Sequence, residues 1–221
     1  MLPVGDVIPP RRAPAVTAAV LGVSLVVFLL QQWLGAAGSR HLQQTFGVVP
    51  ARPAATAVLT SLALHASWMQ LGLNAVMLWV FGATLEDRLG RVRFVALLAG
   101  SGAAAALLHV SLQRGDIAPL VGTTGVVAGV LGGYFTLFPR SRVLVFGFAP
   151  VRVRFDALEV PGVYLLAFWF VAHAAAGAFG VAWLVSGGLN VWAHVAMLAG
   201  GALATLLLGG RSSRTRYWTD E

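Results

Sequence analysis

Six apolar segments, each close to the length needed to cross a bilayer, constrain this sequence more than any other feature. They cover residues 13–34, 67–85, 94–112, 122–138, 161–179 and 190–208. A helix needs roughly 20 predominantly apolar residues to span the hydrocarbon core of a membrane. Only 10% of the residues are charged, against about 25% in soluble domains. The sequence therefore predicts an all-α integral membrane protein, a bundle of six transmembrane helices.

The arginines predict how this bundle lies in the membrane. If the N-terminus is cytoplasmic, twelve arginines fall on the cytoplasmic side and only Arg40, Arg52 and Arg114 on the other. Such an excess marks the cytoplasmic side of membrane proteins. We therefore expect one domain with a core over 13–208 and short cytoplasmic tails, 1–12 and 209–221. The arginines of the loop from Arg140 to Arg154 are expected to meet anionic lipid headgroups.

Composition also narrows the chemistry. The chain has no cysteine, which excludes thiol catalysis and cysteine metal sites. Its net charge is +7, but the arginines lie at the ends of apolar segments and form no basic stripe with interleaved aromatics. Nucleic acid is therefore not an expected partner. The spans contain no carboxylate cluster, so no metal site is predicted.

The fourth apolar segment carries glycines four residues apart, at Gly125, Gly129 and Gly133. This spacing removes side chains from one helix face and lets neighbouring helices approach closely. Thr124 stands at the start of that face, between Gly122 and Gly125. Its hydroxyl is either a nucleophile or a hydrogen-bonding group in a tight helix junction.

Polar residues in three spans fall at a similar depth, on the side opposite the arginine-rich one. Gln70 and Asn74 share a face of the second span, Thr124 begins the fourth, and the sixth carries His194, with Asn190 one turn earlier. A histidine beside a hydroxyl is the minimum for nucleophilic catalysis, and the amides are candidate oxyanion donors. The alternative is an interhelical hydrogen-bond cluster that only holds the bundle together.

The motifs that carry these residues resemble the rhomboid intramembrane serine proteases in order and spacing. They are His65-Ala-Ser-Trp-Met-Gln-Leu-Gly-Leu-Asn74, Phe81-Gly82, Glu86-Asp-Arg-Leu-Gly90, Gly122-Thr-Thr-Gly125 and Ala193-His194. The resemblance covers about 13–208. It implies a six-helix fold and cleavage of the transmembrane helices of other proteins by a Ser–His dyad. It also implies no metal or cofactor, and a site open to the extracytoplasmic side. We expect a bacterial plasma membrane, because the absence of lysine and the bias towards arginine, alanine and glycine are typical of GC-rich bacteria.

The resemblance assigns roles residue by residue. His194 matches the general base, Asn74 an oxyanion-hole residue, and His65 a histidine common in the family. Thr124 stands at the nucleophilic serine, and Gln70 at a histidine of the oxyanion hole. The remaining matched positions line the site, pack its helices or support the scaffold: Gly122 (oxyanion hole), Gly125, Gly129, Met197, Gly201, Glu86 and Gly90.

Three of these positions depart from the family. The extra methyl of Thr124 adds bulk to a rotamer-restricted side chain, and Gln70 cannot carry positive charge. Met197 replaces a small glycine three residues after His194, so it should force the fourth and sixth helices apart or need compensation in the fourth. These changes predict a homologue with weakened or lost proteolysis that binds transmembrane helices.

Two other functions remain open from the sequence. One is an active protease with a Thr124–His194 dyad. The other is a non-catalytic binding, chaperone-like or transporter scaffold. The lack of an internal repeat, of a broken helix pair and of acidic residues within the spans disfavours the transporter. His109 and His173 have no matching partner, and we expect both to be structural or water-facing. The tryptophans are expected to anchor span ends at the lipid interface.

Overall fold

The architecture is mostly helical, and the computed structural model describes residues 2–6, 10–146, 157–178 and 191–209. The first half contains α1 (Ala15–Trp33), α2 (Gly35–Phe46), α3 (Ala57–Thr60), α4 (Trp68–Met77), a π-helical turn (Leu78–Gly82) and α5 (Ala83–Leu89). The second half contains α6 (Arg91–Leu112), α7 (Thr124–Leu137), α8 (Gly162–Ala178) and α9 (Val191–Leu207). Several residues named or included in the sequence predictions lie outside the described residues: Asn190, Trp183, Arg152, Arg154 and the C-terminal arginines.

Three helices among the described residues are long and apolar enough to cross a membrane. They are α1, the continuous helix Trp68–Leu89 made by α4, the π-turn and α5, and α6. Helices α7, α8 and α9 are apolar but shorter. The chain is thus a helical integral membrane protein, and this coarse prediction is confirmed. The connector 35–60, for which no helix was predicted, contains α2 and α3.

Helix α1 is polar on its buried side and apolar on its exposed side. Thr17, Ser24 and Gln31 recur every seven residues and are buried, whereas Val23 and Val26 are 55% and 67% exposed. In water such an arrangement would expose apolar side chains and bury polar ones at a cost. In a bilayer the exposed face meets lipid, and polar side chains turn towards the protein interior.

A small antiparallel sheet was not predicted. Strands β1 (Leu2–Asp6), β2 (Arg142–Phe146) and β3 (Ala157–Pro161) pair in the order β1–β2–β3. In β2 the side chains of Val143 and Val145 are buried while that of Arg142 is exposed, which is the period-two alternation of a half-buried strand. The sequence predicts a polar tail and an arginine-rich loop for these segments, and five-residue strands are too short to stand out from either.

Helix α7 lies at the centre of the bundle, and glycine makes this possible. A Cβ on Gly132 would overlap the carbonyl oxygen of Leu198, and one on Gly133 would overlap the Thr205 hydroxyl, both on α9. A Cβ on Gly129 would overlap the hydroxyl of Ser101 on α6. The glycines of α7 therefore allow close contact with two neighbouring helices, and the backbone of α7 packs directly between α6 and α9.

Met197 does not separate α7 from α9. One turn after it, Gly201 packs directly against the backbone carbonyl of Gly129. The register that pairs Gly129 with Gly201 places Gly125 opposite Met197, since each lies four residues earlier. Met197 itself is buried, at 4% exposure.

The segment that leads into α7 is fixed by backbone hydrogen bonds to the earlier connector. Val48 and Leu120 exchange both of their backbone hydrogen bonds, at 3.1 and 2.9 Å, and the N–H of Gly122 donates to Ser61 at 2.8 Å. Gly122 has φ of +97°, a left-handed conformation that favours glycine. These contacts set where α7 begins, and therefore where Thr124 lies.

Glu86 ties the end of α5 to the start of α1. Its carboxylate accepts hydrogen bonds from the backbone N–H groups of Val16 (2.9 Å) and Thr17 (2.8 Å) and from the Thr17 hydroxyl (2.8 Å). A helix leaves its first N–H groups without partners and is positive at that end, so a buried carboxylate suits this place. Gly90, with φ of +80°, then turns the chain from α5 into α6. This is a physical basis for the scaffold role predicted for Glu86 and Gly90.

We expect Glu86→Ala to lower the free energy of unfolding by about 2–4 kcal/mol, because it removes charged hydrogen bonds to buried N–H groups. Asp87→Asn is the matched control: Asp87 is the next residue, is only half-buried, and accepts one exposed bond from the N–H of Arg11. The control should change stability by less than about 1 kcal/mol. Equal losses in thermal unfolding of the two purified variants would contradict the capping role.

Candidate functional site

The Thr124 hydroxyl is held by two amide side chains from α4. It accepts hydrogen bonds from Asn74 Nδ2 at 3.0 Å and from Gln70 Nε2 at 3.3 Å. The Thr124 hydroxyl itself donates to Asn74 Oδ1, with 3.4 Å between the two oxygens. All three side chains are almost fully buried, at 0–1% exposure. The structure therefore joins three of the predicted site residues in one hydrogen-bonded cluster.

Every hydrogen-bonding group of the Gln70 side chain is used within this cluster. Its Oε1 accepts from the N–H of Ala66 at 2.7 Å, and its Nε2 donates to the carbonyl of Val121 at 2.8 Å as well as to Thr124. The amide lies directly on Gly122, where a Cβ would overlap it. Gln70 thus joins α4 to the turn before α7 and to Thr124.

His194 is contributed by α9. Because Gly129 pairs with Gly201 and Gly133 with Thr205, α7 and α9 run in the same direction in a fixed register. Thr124 lies five residues before Gly129, and His194 lies seven before Gly201. At about 1.5 Å rise per residue, their levels along the helices differ by roughly 3 Å. Thr124 and His194 therefore lie at similar levels on the two helices, and both are buried.

Two aromatic side chains of α8 lie beside His194, and the expected position of one of them, Trp169, was wrong. Trp169 was expected at the lipid interface, but it is 2% exposed and its ring lies 5.3 Å from that of His194. His173 was expected to be structural or water-facing; it is buried, its Nδ1 lies 2.8 Å from the Trp169 carbonyl, and its ring lies 4.8 Å from that of His194. Both residues lie on α8, which is apolar around most of its circumference, so its sequence did not indicate the face that meets α9.

The other histidine and tryptophans agree better with expectation. His109 is buried and its Nε2 lies 3.4 Å from the carbonyl of Ala118, a structural contact. Trp68, Trp79 and Trp192 are 57%, 49% and 72% exposed. These indoles are therefore available to lipid.

His65 supports the site through its backbone. Its N–H donates to Gln31 Oε1 at 3.0 Å, and its carbonyl accepts from Gln31 Nε2 (3.0 Å) and Gln43 Nε2 (3.3 Å). The next residue, Ala66, donates the N–H that holds Gln70. Sequence reasoning missed both glutamines, although a glutamine within an apolar helix, such as Gln31 in α1, is itself a signal of a buried polar contact.

The ring of His65 is buried and packs edge-on against Phe28, with 6.4 Å between the ring centroids. Burial disfavours the charged form and lowers the pKa of His65 to about 4. His65 is therefore neutral at physiological pH. It contributes a packed neutral ring to the segment before α4, and no positive charge.

The Thr124 hydroxyl is not arranged as a nucleophile, because the hydrogen-bond partners that the structure describes for it do not include a base. A nucleophilic hydroxyl must pass its proton to a base, and the described partners of Thr124 are amides, which are not bases at neutral pH. Turning the hydroxyl from Asn74 requires motion about a β-branched side chain, which is restricted at χ1. Gly129 and Gly201 bring the backbones of α7 and α9 into direct contact, and the site-lining roles of Gly125 and Met197 stay predictions.

Comparison with known proteins places the chain among relatives of one kind. The Rhomboid domain family matches residues 52–211. "Rhomboid protein 1, mitochondrial" from Saccharomyces cerevisiae is 30% identical over 199 residues, covering 86% of this chain and 51% of that protein. "Presenilin-associated rhomboid-like protein A, mitochondrial" from Danio rerio is 25% identical and covers 77% of this chain and 48% of that protein.

A bacterial relative is similar over a larger share of its own length. "Putative rhomboid protease YdcA" from Bacillus subtilis is 26% identical over 161 residues, covering 72% of this chain and 70% of that protein. The chain thus spans about half the length of the two mitochondrial relatives. The matched range of the Rhomboid domain contains all the hydrogen-bonded residues around Thr124, together with His173 and His194.

Proposed function

Because this chain belongs to the rhomboid family, we propose that it is a protease-like membrane protein that binds the transmembrane helices of other proteins and whose own peptidase chemistry is weakened or lost. The substitutions Thr124 and Gln70 are the proposed cause. The chain keeps the family scaffold, and the change in function arises from these site residues. No cofactor enters it.

One observation carries the proposal: the Thr124 hydroxyl is bonded to Asn74 and Gln70, both of which are amides. Its lone pairs accept two amide hydrogens and its proton faces an amide oxygen. The two intended oxyanion donors are therefore already engaged with the nucleophile. Losing one such donor typically costs about 10²- to 10³-fold in rate.

The proposed topology has six spans, both termini in the cytoplasm, and a site open to the extracytoplasmic side of a bacterial plasma membrane. The arginine distribution supports the orientation, and the bacterial relative supports the location, whereas two relatives are named as mitochondrial. The chain has no cysteine, so single cysteines at Arg40 and Arg88 report the sidedness directly. In intact bacterial cells, an impermeant maleimide should label Arg40→Cys and leave Arg88→Cys unlabelled; the reverse pattern would refute this orientation.

The test of the catalytic part is labelling with a fluorophosphonate probe in detergent or nanodiscs. We expect the native chain to label at background level, and the double variant Thr124→Ser, Gln70→His to label at the new serine. Adding His194→Ala to the double variant should abolish that labelling. If the double variant does not label, the helices do not converge as a catalytic site and the proposal fails.

A working threonine protease is the second candidate, favoured by Thr124 and His194 lying buried at similar levels on α7 and α9, with Asn74 in place. It predicts that the native chain labels at Thr124 itself. Thr124→Ala and His194→Ala should then each abolish both labelling and cleavage of a single-span substrate. Labelling of the native chain that survives His194→Ala would exclude the dyad.

A further inference from the structure

His173 on α8 lies in a buried ring cluster with His194 and Trp169. The centroids of the two imidazole rings are 4.8 Å apart and the rings are tilted by 54°. Trp169, one turn earlier on α8, lies 4.2 Å from the His173 ring and 5.3 Å from the His194 ring. The exposure of all three residues is between 1% and 4%. The cluster joins α8 to the α9 residue that matches the general base.

The hydrogen bonding of His173 fixes which of its nitrogens carries the proton. Its Nδ1 lies 2.8 Å from the backbone carbonyl of Trp169. A carbonyl oxygen only accepts, so Nδ1 is the protonated nitrogen of the neutral ring and Nε2 bears the lone pair. This Nε2 is buried and has no hydrogen-bond partner among the residues that the structure describes.

A buried acceptor without a partner is uncommon and asks for an explanation. The described parts of α8 and α9 contain no aspartate or glutamate, so no carboxylate on these helices orients His194. A neutral imidazole lone pair performs the same orienting task without placing a charge in the membrane, where charges are costly.

We infer that His173 is a positioning residue for His194: its Nε2, which has no partner among the described residues, accepts the imidazole N–H of His194 once the two adjacent rings turn towards each other. The inference rests on the proposed function of this site. When one nitrogen of His194 takes the hydroxyl proton, its other N–H remains bonded to His173 Nε2. His173 keeps its own Nδ1 proton and gains none, and His194 later returns the transferred proton to the leaving amine. The contact fixes the tautomer of His194 and stabilises its cationic form.

The alternative is that His173 only fills space, and two substitutions separate these roles. His173→Phe keeps a ring against Trp169 but has no nitrogen. His173→Gln loses the ring but keeps an acceptor at a similar reach. His109→Phe is the matched control, because His109 is also a buried histidine in a helix but bonds to Ala118.

The first readout is the ¹⁵N NMR spectrum of histidine-labelled protein in nanodiscs. The chain has only five histidines, so the His194 signals can be assigned by their loss in His194→Asn. In the native protein, His173→Gln and His109→Phe, we expect two well-separated His194 nitrogen signals from a single tautomer. In His173→Phe these should move together as the tautomers exchange. Unchanged His194 signals in His173→Phe would overturn the inference.

The second readout is the fluorophosphonate labelling rate in the Thr124→Ser, Gln70→His background. There, His173→Phe should label about tenfold more slowly, the effect of one lost hydrogen bond to a charged group. His173→Gln and His109→Phe should stay within about threefold of that background. If the background itself does not label, the proposed function fails while the NMR result still decides on His173. Equal labelling rates of His173→Phe and the background variant would contradict the positioning role of His173 and would leave the proposed function unaffected.

Discussion

Changing Thr124 to serine and Gln70 to histidine together should raise cleavage of a single-span membrane substrate by about 10²- to 10³-fold over the native chain. The serine lacks the methyl group that restricts the hydroxyl, so it can turn from Asn74 towards His194. Replacing Gln70 by histidine removes the hydrogen bond from the Gln70 amide to the hydroxyl. The Nε2 atom of histidine is separated from Cα by the same number of bonds as the Nε2 atom of glutamine. It can therefore reach the space over Gly122 that the Gln70 amide now fills.

The magnitude follows from what each change restores. One oxyanion donor is worth about 10²- to 10³-fold in rate, and a misplacement of about 1 Å in the reacting atoms costs about a hundredfold. Because both residues act on the same hydroxyl, we expect their effects to be coupled and not simply additive. The single variants should each recover much less activity than the pair.

Cleavage is best measured in liposomes that contain a fluorescently tagged single-span substrate, with product resolved by electrophoresis. The control is the same double variant carrying His194→Ala, which should return cleavage to background. A second control is Thr124→Ser with Gln70→Leu, which has the serine hydroxyl but no hydrogen-bond donor at position 70. Its cleavage rate should be at least tenfold below that of Thr124→Ser with Gln70→His. A double variant no faster than the native chain would place the cause of weak catalysis elsewhere in the scaffold.

The long apolar helices were predictable because each is an apolar run followed within a few residues by arginine, proline or glycine, whereas α2 is polar and was not predicted. The fifth span was predicted over 161–179 and the corresponding helix covers Gly162–Ala178. The second was predicted to end at 85 but continues to Leu89, because Glu86 is buried as the cap of α1 and not exposed in a turn. Charge alone therefore misplaced that helix end.

The centre of the site was predictable because its members share simple spacings. Gln70 and Asn74 are four residues apart on one helix, and Thr124 follows a glycine whose positive φ sets the start of α7. Trp169 and His173 were not predictable, because α8 is apolar on nearly every side and its contact face depends on how it docks against α9. Gln31 and Gln43 were missed although Gln31 stands within an apolar helix; the sequence does not identify their partner, because it is the backbone of His65.

Gly201→Leu should have the largest effect on stability, because it places a side chain against backbone. A Cβ at Gly201 overlaps the carbonyl oxygen of Gly129, and no side-chain rotation can relieve that contact. The helices α7 and α9 must move apart, which disrupts the packing around Gly132 and Gly133 and the register that brings His194 level with Thr124. Overpacking usually costs about 1–3 kcal/mol, and we expect more than about 3 kcal/mol here.

Gly200→Leu is the matched control, one residue away on the same helix. A Cβ at Gly200 meets nothing within 4 Å, and the position is exposed, so a leucine there faces lipid. Both substitutions gain the same helix propensity, and only one collides with α7. Thermal unfolding in detergent should therefore lower the transition temperature strongly for Gly201→Leu and little or not at all for Gly200→Leu. Similar behaviour of the two variants would mean that the close contact of α7 and α9 does not hold this bundle together.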